Sequence, residues 1–233
     1  MITIALDTSL DVRVAVADGA TVLARAGLAD PRAHVEQLIP LLAKALAEAG
    51  DPAVERVVVG VGPGPFTGLR VGIAAAQTWA MLRGAELVGV CSLDVLAAQT
   101  ARASAHPADA DQTDIDQTAA AQTSAVLPDE FSVVTDARRG EWYHARYNSA
   151  GVRQGEPGVA APDQIPGPHV GPVVADAGGV RLTHLDAGVM ATGDFPAMPV
   201  QALYLRDPDA TVPTRRKSAL VPGLVLPTRR SRS

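Results

Sequence analysis

The residues with chemical potential gather first at a strand-like run, Val57 to Val61, which feeds Gly62-Pro63-Gly64-Pro65-Phe66-Thr67-Gly68 and then a helix. A glycine-rich turn before a helix exposes backbone N–H groups at the positive end of the helix dipole, a geometry that suits an anion. No Gly-Lys-Ser/Thr follows, so this is not the common phosphate loop, and the dinucleotide spacing is missing too. The same residues also read as a tight structural turn. Asp7 and Asp136 each end a short apolar strand-like run, where a carboxylate is a polar turn residue or a helix-entry cap. Ser9 and Cys91 have no histidine near them in sequence, so nothing supports a nucleophile. The histidines stand at 34, 106, 144, 169 and 184, and no two are four apart, as a helical metal pair requires. With Cys91 alone there is no internal disulfide and no thiolate cluster. No metal is expected.

These candidates need elements to hold them. Ile2–Thr8, Arg13–Ala17 and Thr21–Ala26 read as three strands, with Asp18-Gly19 as a hairpin turn. Residues 33–49 form a helix with Val35, Leu38, Ile39, Leu42 and Leu46 on one face, bent or weakened by Pro40. A second helix spans Thr67–Arg83, a strand Leu87–Val90, and a third helix Leu93–Arg102. The order β-β-β-α-β-α-β-α implies a mixed sheet flanked by helices. In the second helix Gly68, Gly72, Ala76 and Ala80 recur every four residues. An interior Gly costs about 1 kcal/mol against Ala, so two of them imply that another backbone comes close. The neighbour is a strand of the same sheet or a helix of another subunit.

After residue 102 the pattern breaks. Residues 103–129 hold a Gln-Thr-repeating, low-complexity stretch that reads as a flexible loop. Phe131–Asp136, a turn at Ala137-Arg138-Arg139-Gly140 and a strand from Glu141 to Tyr147 echo the opening hairpin, which suggests a reduced second lobe over 130–210. Pro172–Ala177 reads as a further strand. Residues 211–233 read as a disordered basic tail. The tail's +6 leaves −11 for the rest of a chain whose net charge is −5, which argues against nucleic acid across the main surface. No apolar run approaches the ~20 residues of a membrane helix, and Met1-Ile2-Thr3-Ile4 lacks the pattern of a secretory signal. A cytoplasmic protein without membrane contact is expected.

Gly62–Gly72 resembles the Gly-Pro-Gly-Ser-Phe-Thr-Gly-Leu-Arg-Ile-Gly signature of the TsaB (YeaZ) family, with Pro65 for Ser and Val71 for Ile. Five further blocks agree in order: Leu6-Asp7-Thr8-Ser9, His34 to Leu41, Gly89 to Asp94, Asp136 to Glu141, and Ala202 to Arg206. The resemblance covers roughly residues 1–102 and 130–210. It implies an α/β, actin-like two-lobed fold with a ribonuclease-H-like sheet in each lobe, here 1–102 and a reduced second lobe.

The resemblance also implies a role: an adaptor for threonylcarbamoyl transfer to adenosine of tRNA. The partners would be a TsaD-like catalytic subunit and a TsaE-like ATPase, with tRNA met indirectly through the complex and a homodimer when alone. In TsaD a His-x-x-x-His metal pair occupies the positions that here are Ser92 and Leu96, so the family's non-catalytic role is expected, with no catalytic residue. Helices 33–49 and 67–83 would meet TsaD, through Leu38, Leu42, Gly68, Gly72, Ala76, Trp79 and Ala80. In actin-like phosphotransferases an aspartate such as Asp7 holds the magnesium of a nucleotide. Asp7, Gly62, Gly64 and Thr67 are therefore the candidate weak nucleotide or anion site, with ATP or ADP bound only in the complex. The alternative function is an ATP-dependent actin-like phosphotransferase.

Overall fold

The structure, a computed structural model, describes residues 1–28, 34–105, 127–174 and 182–206. Residues 106–126 of the low-complexity loop, His106, Gly178-Gly179 and the 211–233 tail lie outside the described residues.

Three strands open the chain: β1 (Ile2–Asp7), β2 (Val12–Asp18) and β3 (Thr21–Leu28). Then come α1 (His34–Glu48), β4 (Arg56–Gly60), α2 (Phe66–Arg83), β5 (Glu86–Val90) and α3 (Ser92–Ala105). They form one sheet in the order β3-β2-β1-β4-β5, antiparallel through the opening hairpins and parallel from β1 to β4 to β5. The predicted element order is present. The third helix runs on to Ala105, so residues 103–105 belong to it rather than to the loop.

The second sheet repeats the first in outline. β6 (Glu130–Asp136), β7 (Trp142–Asn148), β8 (Gly158–Ala160) and β9 (His169–Val170) lie in the order β8-β7-β6-β9. The two hairpin pairings are antiparallel and β6–β9 is parallel, the same senses as β3-β2-β1-β4. Between β8 and β9, where the first lobe has α1, there is only a short 3-10 turn, Pro162–Gln164. The strand expected over Pro172–Ala177 does not form within the described residues. The chain turns there instead, with the Val174 N–H donating to the Gly171 carbonyl, and β9 precedes it.

Side-chain size decides how the layers stack. Along β1, β2 and β4 the bulky Ile4, Leu6, Val14, Val16, Val57 and Val59 point to one face, where Leu38, Leu42 and Leu46 of α1 and Ile73, Ala76 and Ala80 of α2 meet them. The opposite face carries Ala5, Ala15 and Ala17 beside Val58. These small residues let α4 (Ala187–Thr192), which comes from beyond the second sheet, pack on the first sheet together with α3. Phe131, Val133, Ala145 and Tyr147 of the second sheet complete that core.

The small-residue stripe on α2 is answered from within the chain. The Thr8 hydroxyl donates to the Gly68 carbonyl at 2.8 Å, and a Cβ at Gly72 would collide with the same hydroxyl. Gly68, Gly72, Ala76 and Ala80 are buried against the first lobe. Gly→Ala in an open helix gains about 1 kcal/mol; here the collision outweighs it. Gly72→Ala is expected to destabilise the protein by about 1–3 kcal/mol, read as a lower urea midpoint. A rise would show that the stripe is not packed on Thr8.

Candidate functional site

Asp7 ends β1 with 1% of its surface exposed. Its Oδ1 accepts from the Ser9 N–H at 2.7 Å and the Ser9 hydroxyl at 2.6 Å, and its Oδ2 accepts from the Ser92 hydroxyl at 2.6 Å. Burial pushes the Asp7 carboxyl above the ordinary value of 3.8, against the pull of the Ser9 and Ser92 hydrogen bonds. Gly60, at the end of β4, has no room for a Cβ because Asp7 Oδ2 fills the space.

The glycine turn closes on the same node. The Ser92 N–H donates to the Gly62 carbonyl at 2.8 Å, and Gly64 lies against the Ser9 backbone. Gly62 takes φ +102°, which a side chain would strain. Asp7, Gly62 and Gly64 are thus brought together as expected, but closed on one another, whereas Thr67 stands apart on the surface. Both Asp7 oxygens are engaged by serines in this structure. Ser92, one of the two positions matched to the metal histidines, is a donor in this node, and Leu96 is fully buried in the core. Among the described residues no three His, Cys, Asp or Glu side chains gather as a metal site would need.

The partner residues read from the sequence are also relocated. Leu38, Leu42, Gly68, Gly72, Ala76 and Ala80 are buried in the chain's own core, so the reading that they face another subunit is corrected. Trp79 is half-buried, with Arg83 5.0 Å from its ring centre. Among the described residues, the large apolar side chains these helices expose are Ile39, 52% exposed although expected on the inner face, with Met81 at 77% and Leu82 at 71%.

A third group was not among the site residues read from the sequence. Residues 198–206 return from the second lobe as a strap. Its Met198 N–H donates to the Gly89 carbonyl of β5, and its Leu203 N–H to the Val61 carbonyl. Tyr204 stacks on Phe66 at 3.9 Å with the ring planes 3° apart, and Arg70 Nε donates to the Tyr204 hydroxyl at 2.9 Å. Arg206 then crosses to the other lobe, donating to the Ala137 carbonyl at 3.1 Å and pairing with Glu141. That turn is strained: Arg138 and Arg139 both adopt left-handed conformations, φ +66° and +57°, at about 1–2 kcal/mol each. Asp136 caps it through the Arg138 N–H at 2.7 Å. The Tyr-Leu-Arg block was visible in the sequence, but nothing local told which residues it would meet.

A cluster of titratable groups lies between the lobes. Asp94 Oδ1, at the start of α3, accepts from the Tyr147 hydroxyl at 2.7 Å and meets Arg153 at 3.4 Å. Burial raises the Asp94 carboxyl and the Tyr147 hydroxyl above their ordinary values. The Cys91 thiol beside them is pushed up to about 12, chiefly by burial and then by the Asp94 charge, which leaves it protonated and unreactive near neutral pH. Of the remaining histidines, His144 is held below its ordinary value by burial and then by His169.

Two sheets of matching topology, joined through α3, with an aspartate ending the first strand of each, define an actin-like protein of two lobes. The family model for TsaD, tRNA N6-adenosine threonylcarbamoyltransferase, matches residues 28–110. An uncharacterised Mycobacterium leprae protein is 37% identical over 212 residues, 85% of this chain and 51% of that protein. The chain therefore spans about half of that relative's length. An uncharacterised Mycobacterium tuberculosis protein is 39% identical over 199 residues, 78% of this chain and 79% of that one. Escherichia coli TsaB, a tRNA threonylcarbamoyladenosine biosynthesis protein, is 36% identical over 99 residues, 40% of this chain and 42% of its own. Among solved structures, YeaZ from Pseudomonas aeruginosa aligns with a TM-score of 0.55 at 26% identity, covering 72% of this chain and 70% of that one. A second Pseudomonas aeruginosa structure, similar to YeaZ, has the same fold, with a TM-score of 0.63 at 24% identity over 88% of this chain and 99% of that one. Together these likenesses make the chain a TsaB (YeaZ)-like protein.

A carboxyl raised by burial binds its proton more tightly in the folded state than in the unfolded one. Its contribution to stability is largest below 3.8 and is lost as pH rises through the folded value. Asp7→Asn keeps the side-chain shape without the charge. Urea unfolding across pH from 3.8 to neutral should show a shallower fall in stability for this variant than for the wild type. An unchanged slope would mean that Asp7 is not raised.

Proposed function

We propose that this chain is an adaptor subunit in the formation of threonylcarbamoyladenosine in tRNA, acting in the cytoplasm beside a TsaD-like catalytic subunit and a TsaE-like ATPase. Family membership supports the pathway, and the observation that carries the adaptor role is the closure of the Asp7 node. The carboxylate that a phosphotransferase would turn toward metal and phosphate is committed to Ser9 and Ser92, where it ties β1 to α3. In this reading the site residues support the fold and the exposed helix surface does the work. Ile39 on α1 and Met81 and Leu82 on α2 offer the apolar contacts for the TsaD-like subunit, and for a second copy of this chain when that subunit is absent. No described helix is long and apolar enough to cross a membrane. Any ATP or ADP is held only in the complex, because the phosphotransferase alternative requires Asp7 to leave both serines.

Reconstitution tests the reading. The cognate TsaD-like and TsaE-like proteins, with threonylcarbamoyl-adenylate, are expected to modify tRNA only when this chain is added, measured by mass spectrometry of the digested nucleosides. Full activity without it refutes the role. Met81→Glu combined with Leu82→Glu changes two exposed residues, so the fold should persist while co-purification with the TsaD-like subunit is lost. Wild-type recovery would place the interface elsewhere. Tight ATP binding by the lone chain, abolished by Asp7→Ala, would favour the phosphotransferase.

A further inference from the structure

Hydrogen bonding at Asp94 is unevenly shared. Oδ1 accepts from the Tyr147 hydroxyl at 2.7 Å and faces Arg153 Nε at 3.4 Å, while Oδ2 is buried without a partner. Arg153 shows the same asymmetry, with its Nη1 buried and unpartnered. A buried carboxylate oxygen without a donor is costly while it carries charge. It is also an open seat for a proton, since binding there displaces no hydrogen bond. Asp7 differs, because donors fill both of its oxygens.

Both groups at Oδ1 come from one hairpin. Tyr147 of β7 bridges to Arg153 across a turn that the Asn148 side chain caps, accepting from the Ala150 and Val152 N–H groups. The turn reaches α3 at Gly151, where a Cβ would stand 3.1 Å from the Ala97 carbonyl oxygen, and again through the Arg153–Asp94 pair. Asp94 is 4% exposed and the Arg153 side chain 18%, so the cation has a route to water that the carboxyl lacks. The titratable and charged groups around the pair are Cys91 just before α3, Tyr147 on β7, and Glu156, exposed beyond the turn. Phe131 and Val133 of β6, and all of α4, bring no charge to this core.

We propose that Asp94 is a proton-operated latch between the lobes. Ionised, it holds Arg153, and with it the turn after β7, against α3. Protonated on Oδ2 from solvent, it keeps the Tyr147 hydrogen bond and releases the Arg153 guanidinium to water. Phe131, Val133, Ala145 and Tyr147 keep the lobes packed in both states, so the change is confined to that turn and the start of α3. Burial sets the direction: the folded carboxyl takes its proton above the ordinary 3.8, against the pull of Tyr147 and Arg153 and with a further push from Glu156. The latch therefore opens as pH falls through the folded value.

Nuclear magnetic resonance of the full chain, with isotope-labelled aspartate and arginine, follows both partners in one titration from neutral pH to 3.8. The Asp94 carboxyl signal and the protection of the Arg153 Nε–H against exchange are expected to change with a single midpoint. Glu156→Gln, an exposed change that leaves the fold alone, should move that shared midpoint down. Arg153→Gln should move the Asp94 midpoint up. Asp94→Asn cannot ionise, and at neutral pH its Arg153 Nε–H should exchange roughly tenfold faster than in the wild type. A turn that is merely packed in place would give an Arg153 signal indifferent to the Asp94 titration, and that result overturns the latch. So do two separate midpoints, or an Asp94 carboxyl that stays ionised until the fold is lost. Should Asp94→Asn fail to fold, Glu156→Gln decides: a shift in both signals supports the latch, and a shift in one or neither refutes it. The titration reads the lone chain, so its outcome leaves the adaptor role untouched.

Discussion

A carboxylate with almost no access to water has to be surrounded by donors, and the way Asp7 meets that demand organises the first lobe. Its partners come from two places: the turn leaving β1 and the first residue of α3. The requirement propagates outward. Gly60 must lack a side chain so that β4 can lie beside Asp7, and Gly64 must lack one so that the turn can lie on Ser9. Thr8, next in the chain, faces α2 and sets where Gly68 and Gly72 stand. The spacing of small residues that looks like a surface for another protein follows from a polar group two residues long at the end of one strand.

The same node separates what the sequence could and could not reveal. Hydrophobic alternation and glycine punctuation located every strand and helix of the first lobe, because those signals are local. Asp7, Gly62 and Gly64 were recognised as a set, and they do meet. Their state was not legible, because the side chain that satisfies Asp7 Oδ2 is Ser92, eighty-five positions away. Direction failed for the same cause: Gly72 and Ala76 announce close packing without naming the neighbour, and Ile39 follows the apolar period of α1 yet faces water. In the second lobe the hairpin was readable and the remainder was not. Strands of two or three residues carry too few side chains to show a period.

The two lobes share a strand pairing but not their helical cover. The second sheet keeps the four-strand pairing of the first but has only a 3-10 turn where α1 would be. A sheet without a helix at that point must find cover elsewhere, and here α3 is shared: it packs against β6 and β7 while its first residue holds Asp7. Conversely α4, which follows the second sheet in sequence, covers the first. Each lobe is thus finished by the other, and the Asp94–Tyr147 hydrogen bond sits buried where they join.

The strap has a consequence for the order in which the chain matures. β5 is the outer strand of its sheet, and the group that covers it at Gly89 is Met198, more than a hundred residues downstream. At typical synthesis rates of roughly 5–20 residues per second, the ribosome delivers that cover about 5–20 s after β5 has emerged. During this interval the nascent lobe carries an unpaired strand edge of the kind that recruits other strands. The last described residues of the protein therefore act as the closing stitch of its first sheet, and a ribosome that stalls before them leaves a nearly finished lobe with its side undone.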